Sequence, residues 1–288
     1  VLLTTIITAN QELLPPSNNL LLLQRGFNYG DGLFETMYLA KGQIVFATAH
    51  CNRLRAGLNT LHINAPFELN ADNLMHQCAR LLEESHSNPD LIYRVKLIIL
   101  RAPGGLYAPT SNDGLAILQM ESAAVYPSMA VVSAGISNNV KLSLNPLSAY
   151  KSISAWPYIL AGLEKTTNQW AEILICSSDG YVAEAGAANL FWYKDGALYT
   201  PHLSTGCIAG VVRAELIQYA QNVGVKINET KMRPTDLHGA EWILCTNSSG
   251  LKFIDKLVYA NGIEVHFPVI HIDGAPEWLN HFWQTMFI

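Results

Sequence analysis

The chain has 288 residues, half of them hydrophobic, with 14% charged residues and a formal charge of −5. That length suits one large domain or two ordinary ones. The acidic balance, with no basic run, excludes a nucleic-acid binder that works by neutralising phosphates. The odd, scattered cysteines (Cys51, Cys78, Cys176, Cys207, Cys245) lack a CxxC and exclude a disulfide framework or a zinc pattern.

Taken in chain order, residues 1–7 are apolar but lack a basic n-region. They are too short to cross a bilayer, as is the run 20–23, so a cytoplasmic protein is expected. Residues 34–39 and 44–46 read as strands around a turn at 40–42. Residues 49–61 and 70–84 read as helices, and 91–100 and 115–119 as strands. The weakly patterned stretch 121–126 is expected to mark a domain boundary. Beyond it, 130–132 and 141–144 look extended and 159–168 helical. Four short strands follow at 172–176, 181–183, 190–193 and 197–200, with turn signals at Ser178-Asp179-Gly180 and Lys194-Asp195-Gly196. Residues 211–223 read as an amphipathic helix stopped by Gly224, and 241–245 as a further strand.

Three features point to chemistry. Most of the ten lysines sit in turns or on polar faces, where a solvated ammonium is expected, but Lys151 stands between uncharged neighbours ahead of an apolar helix. Desolvation there would favour its neutral amine, the form that attacks a carbonyl to make a Schiff base. Glu184 is a lone carboxylate among small residues. If buried it needs a partner, either a structural cation or a ring nitrogen that it keeps protonated. The loop 204–210 runs through Gly210 into a helix whose first amides would suit a phosphate. The turn Thr246-Asn247-Ser248-Ser249-Gly250 could add hydroxyl donors, or be an ordinary turn. His266 and His271 are too far apart for a helical ligand pair, and no metal site is expected.

Four blocks occur in order with these features. They are Arg25-Gly26-Phe27-Asn28-Tyr29-Gly30-Asp31-Gly32-Leu33-Phe34-Glu35-Thr36, His50-Cys51-Asn52-Arg53-Leu54, residues 181–191, and residues 198–213 ending in Gly210-Val211-Val212-Arg213. Together they resemble the class IV aminotransferase family, the fold-type IV pyridoxal-phosphate enzymes. That group includes branched-chain and D-amino-acid aminotransferases and 4-amino-4-deoxychorismate lyases. The resemblance implies an α/β (α+β) fold of two domains. A small N-terminal α+β domain (1–121) would be joined by a linker (122–126) to a larger, β-rich domain with helices (127–288) carrying Lys151 and Glu184.

It also implies roles. Lys151 would hold pyridoxal 5′-phosphate as a Schiff base and move the proton at the substrate Cα. Glu184 would pair with the pyridinium nitrogen. Arg53, the backbone amides of Val211 and Val212, and Ser248 would bind the phosphate. Tyr29 would stand near the substrate, and Arg101 is a candidate for its carboxylate, although a strand-end arginine at the surface is the equal alternative. The expected assembly is a homodimer.

Some positions depart from the family pattern. Val211-Val212 replaces the usual Ile-Thr, and Trp156 stands where branched-chain aminotransferases carry a tyrosine. The stretch 101–107 resembles the lyase motif imperfectly, and Ala188-Asn189-Leu190-Phe191-Trp192 is lyase-like. The first expectation is an amino-acid aminotransferase, with the lyase as its alternative. A non-catalytic family member is a minor alternative, disfavoured by the presence of both Lys151 and Glu184.

Overall fold

The computed structural model describes residues 2–7, 13–14, 25–123, 128–259, 261–270 and 274–286. These form two units.

The first unit is built on a six-stranded antiparallel sheet, in the order β2-β1-β6-β5-β3-β4. Its strands are β1 (Leu2–Ile7), β2 (Leu13–Leu14), β3 (Gly32–Ala40), β4 (Gln43–Ile44), β5 (Tyr93–Arg101) and β6 (Gly114–Ser122). The short helix α1 (Arg25–Tyr29) precedes β3, and α2 (Ala47–Leu61) and α3 (Ala71–Glu84) lie between β4 and β5. Side chains alternate across a strand. Leu33, Met37 and Leu39 of β3 and Val95, Leu97 and Ile99 of β5 therefore share one face. They pack with Leu54, Leu58, Leu74 and Leu81 of the two helices into the unit's core. Phe34, Thr36, Lys96 and Ile98 lie on the opposite, half-buried face. Lys41 and Gly42, both at positive φ, turn β3 into β4. Asn70 caps α3 by accepting from the Asn73 amide at 2.8 Å.

Residues Tyr150–Ser154 belong to this first unit. Here the structure corrects the sequence expectation, which gave Lys151 to the second domain. The physical reason is the edge of β3: the Phe34 amide donates to the Lys151 carbonyl at 2.9 Å and the Ile153 amide to that of Gly32 at 3.2 Å.

The second unit holds a mixed sheet in the order β12-β11-β10-β13-β14-β7-β8-β9, with β15 also paired to β14. The strands are β7 (Ser128–Leu142), β8 (Glu172–Ser177), β9 (Val182–Ala185), β10 (Asn189–Lys194), β11 (Ala197–Pro201), β12 (Ile227–Thr230), β13 (Trp242–Asn247), β14 (Gly250–Val258) and β15 (Glu264–His266). The sheet curls, so that β9 also packs against β10 and β11. Parallel pairing of β7 with β8 is bridged by α4 (Trp156–Thr167), which opens with Pro157 in its first turn. Helix α5 (Val211–Asn222) lies against β13, and α6 (Glu277–Thr285) against α5. Asp195-Gly196 makes the two-residue hairpin between β10 and β11.

The separate extended stretches expected at 130–132 and 141–144 belong to one strand, β7, which ends at Leu142. Its pairing with β8 shifts register between Ile136 and Lys141. The polar run Ser137-Asn138-Asn139 lies at that irregularity; the Ser137 hydroxyl and the Asn138 amide both donate to Glu164. Residues 124–126 of the expected linker lie outside the described residues. All five cysteines are buried free thiols. Among the described residues, no helix is long and apolar enough to cross a membrane.

Candidate functional site

In the first unit, Lys151 follows Tyr150, which packs against the core. Strand alternation then turns Lys151 to the half-buried face, and its Nζ stands 4.7 Å from the centre of the Phe34 ring. The next residue of β3, Glu35, points the other way into the core at 2% exposure. A carboxylate there needs donors. Arg53 of α2 supplies a forked pair, Nε to Oε1 at 2.7 Å and Nη2 to Oε2 at 2.5 Å. His50, one helical turn earlier, meets Oε2 through Nδ1 at 2.7 Å.

Burial pushes the Glu35 acid up, but the Arg53 charge and the His50 and Arg53 hydrogen bonds outweigh it and hold the pKa at about 2. Burial, the largest influence, lowers the His50 imidazole; the bond and charge of Glu35 raise it, the charges of Arg53 and Lys151 lower it, and the net shift is downward. A neutral His50 donating through Nδ1 follows.

Arg101 ends β5 and is 4% exposed. Its guanidinium donates to Asp31 Oδ2 and Asn112 Oδ1 at 2.9 Å each, and to the carbonyls of His62 at 3.1 Å and Leu61 at 2.5 Å. It closes the C-terminal end of α2, so the substrate-carboxylate reading is corrected: four of its five donors are spent on the protein. Tyr29 is exposed at the end of α1. Its ring is 5.8 Å from that of Tyr107, and the Arg25 guanidinium lies 4.8 Å from its centre.

In the second unit, Glu184 lies in β9 at 2% exposure. Its Oε1 accepts from the Tyr158 hydroxyl at 2.6 Å. Its Oε2 accepts from the Ile208 amide at 3.0 Å and faces Asn189 Nδ2 at 3.5 Å. Burial first, and the Glu184 carboxylate next, push the Tyr158 phenol far above its ordinary range, so it stays a donor.

Asn189 also donates to the Ile208 carbonyl at 2.8 Å, which ties the loop before α5 to the sheet. Gly210 follows as the N-cap of α5, without a side-chain cap. A Cβ on Gly210 would overlap Asn189 Oδ1, so only glycine lets the helix start this close to the strand. The amides of Val211 and Val212 open the helix at the positive end of its dipole. Thr246 is paired across the sheet with Asn189 and shares its face. Its hydroxyl is buried without a hydrogen-bond partner. Ser248 is half-buried in the turn between β13 and β14.

The family model for Amino-transferase class IV matches residues 32–254. The chain belongs to the class IV aminotransferase family. It is 30% identical over 239 residues to an aminodeoxychorismate lyase of Vibrio harveyi, covering 81% of this chain and 85% of that one. A branched-chain-amino-acid aminotransferase of Salmonella typhimurium is 22% identical over 252 residues, covering 79% and 76%. In fold, the chain is similar to the branched-chain aminotransferase of Thermoproteus uzoniensis. That likeness has a TM-score of 0.82 at 16% identity, over 99% of this chain and 93% of the other.

Members of this class IV family bind pyridoxal 5′-phosphate. The second unit has what such a group requires. A buried carboxylate is fixed by three donors, a helix start has no side-chain cap, and the Thr246 hydroxyl is buried and orphaned beside the strand that holds Gly210.

The residue-level reading of the sequence missed Tyr158, Asn189, Glu35 and His50 as parts of these clusters, while Thr246 lay in the hydroxyl-rich turn it had named. His50, Glu35 and Asn189 lie inside the motif blocks, which was a signal. For Tyr158, attention went to Trp156, which is 68% exposed.

Proposed function

We propose that the chain is a pyridoxal 5′-phosphate enzyme that releases pyruvate from 4-amino-4-deoxychorismate to leave 4-aminobenzoate. The observation that carries the choice of the lyase over the aminotransferase is the higher identity to the Vibrio lyase, 30% against 22%. The lyase-like run Ala188-Asn189-Leu190-Phe191-Trp192 adds to it. This reverses the order expected from the sequence alone.

When bound, the cofactor supplies an electron sink for the carbon that carries the substrate amine. Lys151 offers the amine to which that group attaches and takes the proton from the same substrate carbon. The bond from the ring to the enolpyruvyl oxygen then breaks, pyruvate leaves, and the ring becomes aromatic, so no oxidant is consumed. Glu184, held by Tyr158 and the Ile208 amide, keeps a proton on the pyridine nitrogen. The amides of Val211 and Val212, the Ser248 hydroxyl and Arg53 receive the phosphate. Glu35 and His50 fix the Arg53 fork. Tyr29 is retained as a substrate contact.

A cytoplasmic homodimer is part of this proposal. Its support is the stripe Trp156, Ile159, Leu160 and Leu163 along one side of α4, each at least half exposed. Sedimentation of the protein checks it.

The reaction is tested by loading the purified chain with pyridoxal 5′-phosphate and treating it with borohydride. A visible absorption band that reduction fixes onto Lys151 is expected, and a protein that gains no band would end the cofactor claim. Pyruvate release and amino transfer to 2-oxoglutarate are then assayed side by side. Pyruvate without keto-acid-dependent turnover is expected; the opposite pattern restores the aminotransferase reading.

A further inference from the structure

We infer that His202 is a positioning residue for the cofactor. Its ring, accepting through Nδ1, fixes the turn from which the loop to α5 carries the Ile208 amide to Glu184. The inference rests on the cofactor reading proposed above.

His202 stands between β11 and a single 3-10 turn, Leu203–Thr205, and its side chain caps that turn. The Ser204 amide donates to Nδ1 at 3.1 Å, and the Ser204 hydroxyl meets the same atom at 2.8 Å. An amide N–H can only donate, so Nδ1 carries its lone pair and the ring proton sits on Nε2. The His202 carbonyl holds the same turn, accepting from the Thr205 amide and the Thr205 hydroxyl at 2.9 Å each. Gly206 leaves the turn at a φ of 86°, a left-handed value that suits glycine.

The turn is joined to the site by packing and by the chain. Leu203 packs with Ala183 of β9, Cys207 and Tyr158. Further along, the Ile208 amide donates to Glu184 Oε2 at 3.0 Å, and the Ala209 amide to the Ala149 carbonyl at 3.1 Å. Gly210 then opens α5. In the cofactor reading this one loop serves both ends of the ligand, the ring nitrogen through Glu184 and the phosphate through the Val211 and Val212 amides.

Histidine is the side chain whose charge changes between about pH 5 and 8. His202 is exposed, so its ring exchanges protons with solvent. A second proton goes to Nδ1, where it faces the Ser204 amide, and the cap is lost as pH falls. Apparent affinity drops with the fraction of protein in the competent conformation, so a loosened loop weakens cofactor binding. The charged and titratable groups around the turn are Glu229 of β12, paired with Arg213 of α5 at 2.5 Å, Lys231 after β12, Glu184 of β9, Tyr158 and Cys207. Burial pushes the Cys207 thiol up to about 11, and none of these groups is an imidazole.

The test compares wild type, His202→Asn and His202→Leu. Asn places Oδ1 where His202 has Nδ1 and accepts at every pH used. Pyridoxal phosphate affinity is read by titration into the apoprotein at about pH 8 and about pH 5.5. Wild type and His202→Asn should agree at the higher pH. At the lower pH, wild type should bind about two- to fivefold more weakly than His202→Asn, the range of a lost cap. Effects of pH on the cofactor and on Lys151 cancel in that ratio. His202→Leu should be weakened about equally at both pH values; if it fails to fold, the ratio of wild type to His202→Asn decides. A second readout needs no cofactor: the nitrogen-15 shifts of His202 in the apoprotein at the higher pH should place its proton on Nε2. A ratio that stays flat, or a proton on Nδ1, overturns the role of His202 alone. A wild type that binds no pyridoxal phosphate overturns the cofactor reading and this inference together.

Discussion

Replacing Glu35 by Gln removes the charge at the centre of the Arg53–Glu35–His50 cluster while keeping its shape. The folded-state pKa of Glu35 is lowered from 4.5 to about 2, which corresponds to about 3 kcal/mol of linked stability. The sign follows from the depressed value. The contribution is fully present above the unfolded pKa of 4.5 and is lost as pH falls toward 2.

At neutral pH the variant also leaves the nearly buried Arg53 guanidinium without its carboxylate, a change that typically costs about 3–5 kcal/mol. The comparison is cleanest in a His50→Gln background, where no imidazole titrates beside the site. Urea unfolding, followed by circular dichroism at steps from pH 7 to pH 3, gives the stability gap between the backgrounds with and without Glu35. Other carboxylates cancel in that difference. The gap should be widest above pH 4.5 and shrink steadily below it. A gap that stays constant down to pH 3 would refute the view that ionised Glu35 is held by Arg53.

Two further predictions concern the second unit. Tyr158→Phe deletes the 2.6 Å bond to Glu184 and should weaken pyridoxal phosphate affinity about tenfold, read from quenching of intrinsic fluorescence; unchanged affinity would remove Tyr158 from the site. Leu160→Glu puts a charge in the middle of the α4 stripe and should convert a dimer to monomers in sedimentation velocity. A wild type that already sediments as a monomer counts against the homodimer.

What could be read from the sequence follows the range of each signal. Period-two alternation fixes β3, β5 and β6, and turn chemistry at Gly42 and Gly196 fixes two hairpins; both signals are local. Glu184 stood out because it is a lone carboxylate between strand-like stretches, but its burial comes from the curled sheet around β9, which the local sequence does not encode. The fates of the lysines and arginines were less legible, because a long cationic side chain reads the same whether it is solvated, spent on carbonyls or poised beside a ring.

Three residues of the first unit show what was missing. Arg101 stands at the end of a motif and looked available, yet it closes the end of α2. Lys151 was assigned by chain order to the second domain, but two backbone hydrogen bonds seat its segment on the edge of β3. Lys96 was passed over as a solvated ammonium. Once β3 and β5 are paired, Thr36 lies opposite Lys96 and Phe34 opposite Ile98, so alternation alone sets Lys96 on the Phe34 face and Arg101 on the other. Strand register, which no single segment encodes, therefore decides which cation shares the Phe34 face with Lys151.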